Sequence, residues 1–161
     1  MIDINLSTAL KSEGETYSYE YSGTPDFGKD IDLNESLKLH ADYSADEKRI
    51  SIKGTIHTVL NVRCDRCLKE MTYDFAGKFD EVFLPEGTQG EDEYTYRSET
   101  LCLDKMVYDI IMLGLPHQLL CDEKCKGLCP KCGQDLNITQ CECETNDTDE
   151  TNPFAKLKGL F

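Results

Sequence analysis

The chain has 161 residues, of which 39% are hydrophobic and 30% charged, and a formal charge of −14 at neutral pH. Its length suits one domain, or one domain with a small appendage, and is enough to bury a core without covalent stapling. No apolar run approaches the roughly 18 residues of a membrane span, and the amino-terminal stretch lacks the basic-then-apolar pattern of a secretory signal, so a cytoplasmic protein without membrane contact is expected.

Residues 1–30 are mixed. Ile2 and Ile4 suit the start of a strand, Leu6 to Lys11 a helical turn, and the Tyr-rich stretch Thr16 to Tyr21 a strand. From residue 37 the pattern sharpens. Leu37, Leu39, Ala41 and Tyr43 alternate with polar residues, Asp46-Glu47-Lys48 marks a turn, and Ile50, Ile52, Ile56, Leu60 and Val62 resume the period of two that half-buried strands show. Gly54 interrupts that run and reads as a bulge. Beyond Cys64-Asp65-Arg66-Cys67 the alternation returns at Met71, Tyr73, Phe75 and Phe79, which puts the first cysteine pair at the tip of a hairpin. Residues 86–93 are polar and contain glycine, as exposed loops do.

The period then changes. Leu103, Met106, Val107, Ile110 and Ile111 fall on one face of a helix over 104–115, with Leu113 and Leu115 widening it. Asp104 is expected as its N-cap, and Gly114 and Pro116 end it. Cys102, unpaired beside this apolar start, reads as a small buried residue. Residues 119–143 hold too few apolar side chains for a core of their own, and such a segment folds around metal. An acidic linker follows at 144–152. Asn152, Pro153 and the apolar Phe154, Leu157 and Phe161 then suit a short amphipathic helix that docks on its own domain or on a partner. The expected fold is α+β: an antiparallel, mostly meandering sheet over about 14–100 with one main packing helix. The expected divisions are a core at 1–118, a cysteine-rich module at 119–143, and the linker and terminal helix at 144–161.

Nine cysteines dominate the chemistry, and eight fall in close pairs spaced C64-x2-C67, C121-x3-C125, C129-x2-C132 and C141-x-C143. Without a secretory signal, paired cysteines point to metal rather than disulfides. Zinc favours four thiolates in a tetrahedron, often supplied by two tight turns, so one or two Zn2+ ions are expected. Chain proximity groups Cys129, Cys132, Cys141 and Cys143 as one local site and brings Cys64 and Cys67 to Cys121 and Cys125 across the fold. A rival grouping joins Cys121, Cys125, Cys129 and Cys132 locally. Closed four-thiolate sites leave no position for substrate water and are structural, so the chain is not expected to be an enzyme.

Other readings fit less well. C-x3-C-x2-C at 125–132 matches a radical-SAM cluster motif, but no barrel can follow it in the remaining residues. Cys64-x2-Cys67 precedes a strand rather than the helix a redox pair needs. His40 and His57 sit in strand patterns, and His117 near Cys121 is at most a substitute ligand. No phosphate-binding loop, nucleophile elbow or His-Glu-x-x-His helix is present.

The ordered motifs resemble one family. Cys64-Asp65-Arg66-Cys67-Leu68, Leu103-Asp104, Leu115-Pro116, Cys125-Lys126-Gly127-Leu128-Cys129-Pro130-Lys131-Cys132-Gly133, Leu136-Asn137, Cys141-Glu142-Cys143 and Asn152-Pro153-Phe154-Ala155 with Leu157 look like the YceD family, in a cysteine-dense form similar to that of Firmicutes. The resemblance runs from about residue 30 onward. It implies a role in making, processing or stabilising 23S ribosomal RNA, with large-subunit ribosomal proteins or rRNA-processing factors as partners, and no catalytic residues. It also implies that the cysteines at 129–143 are accessory and that the helix and the Cys64/Cys67 pair are central.

Charge constrains that role. An acid excess spread along the chain opposes bulk attraction to phosphate backbones, so DNA is excluded as a partner and contact with pre-23S RNA has to be local. Lys124, Lys126 and Lys131 are the candidates for such contact, their ordinary role being solubility, and Phe154 and Leu157 are candidates for contact with a protein partner.

Overall fold

The computed structural model describes residues 1–88 and 94–143, and the expected linker and terminal helix, with Phe154 and Leu157, lie outside them. In chain order the elements are β1 (Asp3–Asn5), β2 (Thr16–Gly23), β3 (Leu37–Asp46), β4 (Arg49–Arg63), β5 (Glu70–Pro85), β6 (Tyr94–Tyr96), β7 (Thr100–Cys102) and α1 (Asp104–Gly114). The main sheet has the order β2-β3-β4-β5-β6, and β1 and β7 pair separately. The meander from β2 to β5 is antiparallel, as the alternation predicts. The short β6 runs parallel to β5, with Phe83 opposite Tyr94. Three residues are too few to carry a readable period, so this pairing was not visible in the sequence. The α+β expectation holds.

One face of the sheet is dry. Leu37, Leu39, Ala45, Ile50, Ile56 and Phe83 are each at most 2% exposed and share one core with Ile2, Leu6, Leu101 and Met106. Each such Leu, Ile, Phe or Met side chain contributes roughly 1.5–3 kcal/mol by leaving water, which is what fixes the register. Thr58 is the buried polar residue of this face, and its hydroxyl donates to the Glu35 carbonyl at 3.1 Å.

The β4–β5 hairpin is much longer than its neighbours, at 15 and 16 residues against 10 in β3. β3 pairs with β4 only as far as Lys38 opposite His57, whereas β4 and β5 stay paired to Arg63 opposite Glu70. The hairpin therefore projects past the body of the sheet, and Cys64 and Cys67 sit at its far end.

Four local expectations are corrected. Gly54 is no bulge: it pairs in continuous register with Ala41 and Phe79, and glycine is required because a Cβ would run into the His40 carbonyl. Asp104 is the first residue of α1, not its cap. Leu103 holds the cap position, and the Asp104 carboxylate instead accepts the Ile2 N–H at 2.8 Å, tying the helix to the amino-terminal strand. Cys102 is exposed, because Leu101 takes the inward position of β7 and its neighbour must face out. Leu113 is 86% exposed, since it lies two residues from the fully buried Ile111 and so on the opposite side of α1, while Leu115 stays half-buried.

Candidate metal centres

Two six-residue turns are built alike. In Cys64–Lys69 the Cys64 N–H donates to the Lys69 carbonyl at 2.9 Å, and the Leu68 N–H returns to the Cys64 carbonyl at 2.8 Å. In Cys129–Gln134 the Cys129 N–H donates to the Gln134 carbonyl at 2.8 Å, and the Gly133 N–H returns to the Cys129 carbonyl at 2.8 Å. The fifth residue of each turn is left-handed, with φ +61° at Leu68 and +74° at Gly133. Such a turn aims both cysteine sulfurs, and the backbone amides between them, at one point.

Each turn meets a second cysteine pair. The sulfurs of Cys64, Cys67, Cys121 and Cys125 all lie within 4.8 Å of one another, and so do those of Cys129, Cys132, Cys141 and Cys143. The cross-fold grouping is thus the one the structure adopts, and the rival local grouping of 121–132 is not. Cys64 Sγ stands 3.8 Å from Cys125 Sγ, and Cys67 Sγ 3.6 Å from Cys121 Sγ. These are not disulfide lengths, which are about 2.05 Å. They match the edge, about 3.8 Å, of a tetrahedron with metal–sulfur bonds of about 2.3 Å. The first group therefore fits a tetrahedral ion with four sulfur ligands, and the second is compact enough to hold one too.

The thiols are already polarised for that task. The Cys64 thiol is pulled down to about 6, chiefly by a hydrogen bond from the Cys121 backbone, with those from the Cys67 and Arg66 backbones adding to it against the opposing effect of burial. Cys129 is pulled down to about 6 in the same way, by the Cys132 and Lys131 backbones. Their neighbours pay in the other direction: Cys121 is pushed up to about 12 by its bond with the Cys67 side chain and by burial, and Cys143 to about 12 by its bond with Cys132 and by burial. A divalent cation makes thiolates of all four.

The first centre is clamped by residues outside the ligand set. Asp65 and Leu119 exchange two bonds: the Asp65 N–H donates to the Leu119 carbonyl at 2.8 Å, and the Leu119 N–H donates to the Asp65 carboxylate at 2.6 Å. Arg66 donates its guanidinium to the Cys125 carbonyl at 2.9 Å, and its own carbonyl accepts the Leu128 N–H at 3.1 Å. Gly127 lies over this contact with φ +74°, where a Cβ would come within 2.9 Å of the Arg66 carbonyl. Asn137 donates its amide to Cys125 Sγ at 3.4 Å while its side-chain oxygen accepts the Lys126 N–H at 2.7 Å. Asp65, Arg66 and Asn137 were legible only as members of motifs, since spacing does not show what a second layer of hydrogen bonds will grip.

Lys124, Lys126 and Lys131 are all exposed around these centres. His117 belongs to neither sulfur group. His40 and His57 face solvent beside Glu20 and Asp74, at 3.6 and 2.9 Å.

Residues 52–161, more than half of the chain, match the family model described as large ribosomal RNA subunit accumulation protein YceD. This chain belongs to the YceD family. A chloroplastic YCED homolog 1 of Arabidopsis thaliana, named as a large ribosomal RNA subunit accumulation protein, is 21% identical across 81% of this chain and 51% of its own length. The YCED homolog 1 of Zea mays is also 21% identical, over 70% of this chain and 49% of its own. An uncharacterised protein of Mycobacterium tuberculosis is 27% identical over 66% of this chain and 54% of its own. The chain spans about half the length of the curated relatives it matches. No solved structure matches it. Among the described residues, no helix is long and apolar enough to cross a membrane.

Proposed function

We propose that this YceD protein is a non-enzymatic factor in the accumulation of large-subunit ribosomal RNA, stabilised by two zinc ions and acting through protein contacts. Family membership carries the ribosomal part of this reading. The two sulfur groups carry the rest. Four thiolates around zinc form a closed site with no open position, so the ions hold the fold and activate no water.

Charge supports action through protein contacts. Each zinc tetrathiolate carries −2, so loading both centres takes the formal charge from −14 to about −18. Lys124, Lys126 and Lys131 therefore lie beside two anionic centres, which they partly neutralise, and phosphate gains little there. Ribosomal proteins and processing factors rich in Lys and Arg suit this surface better than RNA does.

The test is the rRNA profile of cells depleted of the protein. Selective loss of mature 23S, or a rise of its precursors with 16S spared, is expected, and unchanged 23S overturns the ribosomal role. Metal analysis of the purified chain is expected to give two zinc ions per molecule. The acidic surface also suits a zinc-dependent adaptor without a ribosomal link, and sedimentation separates the two: the proposed factor travels with large-subunit precursors, the adaptor does not.

A further inference from the structure

A groove of about 1030 Å³ opens beside the first cysteine centre, between the segment before β3, the far end of the β4–β5 hairpin and the chain just after α1. Its floor is apolar: Val62, Met71, Leu115 and Leu119 line it, each only half-buried. Its rim is acidic. Asp30, Asp32, Asp65 and Glu70 line it, all exposed, against the cations Lys29 and Arg63.

The four carboxylates are held in place. Asp30 accepts the Tyr108 hydroxyl at 3.2 Å, Asp32 the Asn61 amide at 3.1 Å, Asp65 the Leu119 N–H at 2.6 Å, and Glu70 the Arg63 guanidinium at 3.2 Å. A carboxylate offers about four acceptor sites, so each keeps acceptor capacity after that bond. Oriented acceptors around a half-wet apolar floor lose little entropy when they take up a cationic partner.

We infer that this groove is the docking site for an extended segment of a basic protein, whose apolar side chains settle on Val62, Met71, Leu115 and Leu119 while its Lys and Arg side chains meet Asp30, Asp32, Asp65 and Glu70. The inference rests on the reading that the protein works through protein contacts, and names the surface that makes them. Complementarity of charge selects the occupant. The rim repels phosphate, and the anionic tetrathiolate behind Asp65 adds to that repulsion. An apolar segment alone leaves the carboxylates without the cations they are placed to meet.

Fluorescence anisotropy on the full-length, zinc-loaded protein tests this. The probes are a labelled decapeptide alternating Lys and Leu, the same peptide with Glu in place of Lys, and a single-stranded RNA decamer. The Lys peptide is expected to bind, and the other two to bind at least ten-fold more weakly. The double substitution Asp30→Lys with Glu70→Lys is expected to raise the Kd of the Lys peptide at least ten-fold. Glu20→Lys with Asp80→Lys, on the outer face of the sheet, removes the same charge and is expected to change it less than two-fold. Thr72→Lys, an exposed change within the groove, replaces the rim pair should that variant not fold, with the same loss expected. Equal losses from rim and outer-face variants overturn the site, leaving only diffuse attraction. RNA binding as tight as the Lys peptide overturns the class of partner. A dimer in sedimentation that the rim variant abolishes overturns it in favour of a second copy of the chain. A normal rRNA profile on depletion removes the ribosomal role but not the groove, whereas a normal affinity in the rim variant removes the groove but not the ribosomal role.

Discussion

The two cysteine centres share a turn but not a place in the fold. The first joins the tip of a long hairpin to the chain beyond α1, and three of its ligands, Cys64, Cys67 and Cys125, are 0%, 8% and 4% exposed while the fourth, Cys121, is exposed. The second closes on ligands from one short stretch, Cys129 to Cys143, of which Cys129 is buried and Cys132 exposed. The first therefore acts as a strut between parts of the domain, and the second as a clasp on a loop. Identical metal chemistry has different structural value depending on how much chain it connects.

Cys64→Ser breaks the strut and has the largest expected effect. It is expected to cost more than about 4 kcal/mol in denaturant unfolding, with new protease cleavage between 119 and 128. Unchanged cleavage would show that the Asp65 and Arg66 clamps suffice without the ion. Gly127→Ala attacks the same contact without touching a ligand. The left-handed φ and the Arg66 carbonyl 2.9 Å from the added carbon make a loss of about 2 kcal/mol the expectation, with zinc content kept at two.

Alkaline pH separates the sheet from both centres. Tyr94 is pushed up to about 12 by burial, and further by its bond to Asp109. Its neutral form is the one the fold favours. That contribution is complete below the unfolded value of about 10 and is lost as pH rises toward 12. Unfolding midpoints are expected to fall over that window, and less steeply in Tyr94→Phe. Leu68→Gly relieves the left-handed strain that the second turn avoids with Gly133, and since Leu68 is 60% exposed little packing is lost. A gain of up to about 1 kcal/mol in the same unfolding assay is expected. Cys132→Ser, at the clasp, has the smallest global effect. One zinc is lost and residues 129–143 become cleavable, while the unfolding free energy of the sheet moves by less than about 0.5 kcal/mol.

Much of the strut was readable before the fold was known. Ile50 to Val62 and Met71 to Phe79 alternate over long stretches, so the hairpin and the position of Cys64 at its tip followed from period two alone. The spacing allowed two groupings of the sulfurs, and the place of the hairpin tip beside the chain after α1 selects the cross-fold one. Other parts were hidden for physical reasons. The likeness of the two turns is masked because Leu68 stands where Gly133 stands in the other, and a leucine gives no hint of a positive φ. Asp104 looked like a cap because its type and position suit one, but a strand amide far away in sequence claims its carboxylate. Cys102 looked buried because its neighbours are apolar, and the parity of a three-residue strand decides otherwise. The groove could not be seen at all, since its floor and rim come from segments that only the tertiary fold makes adjacent.

The span of the first centre also orders events in time. Its paired sulfurs are 54 and 61 positions apart, Cys67 with Cys121 and Cys64 with Cys125. During synthesis the hairpin and most of the sheet exist before Cys121 emerges, so the last two ligands arrive at a half-site that is already built or already wrong. Closing so long a loop is slow unless the intervening sheet has folded and brought its ends together. On the proposed reading, capture of zinc at this centre marks completion: a nascent chain with a misregistered hairpin would offer two thiolates at a time, hold zinc weakly, and stay open to proteases until it refolds.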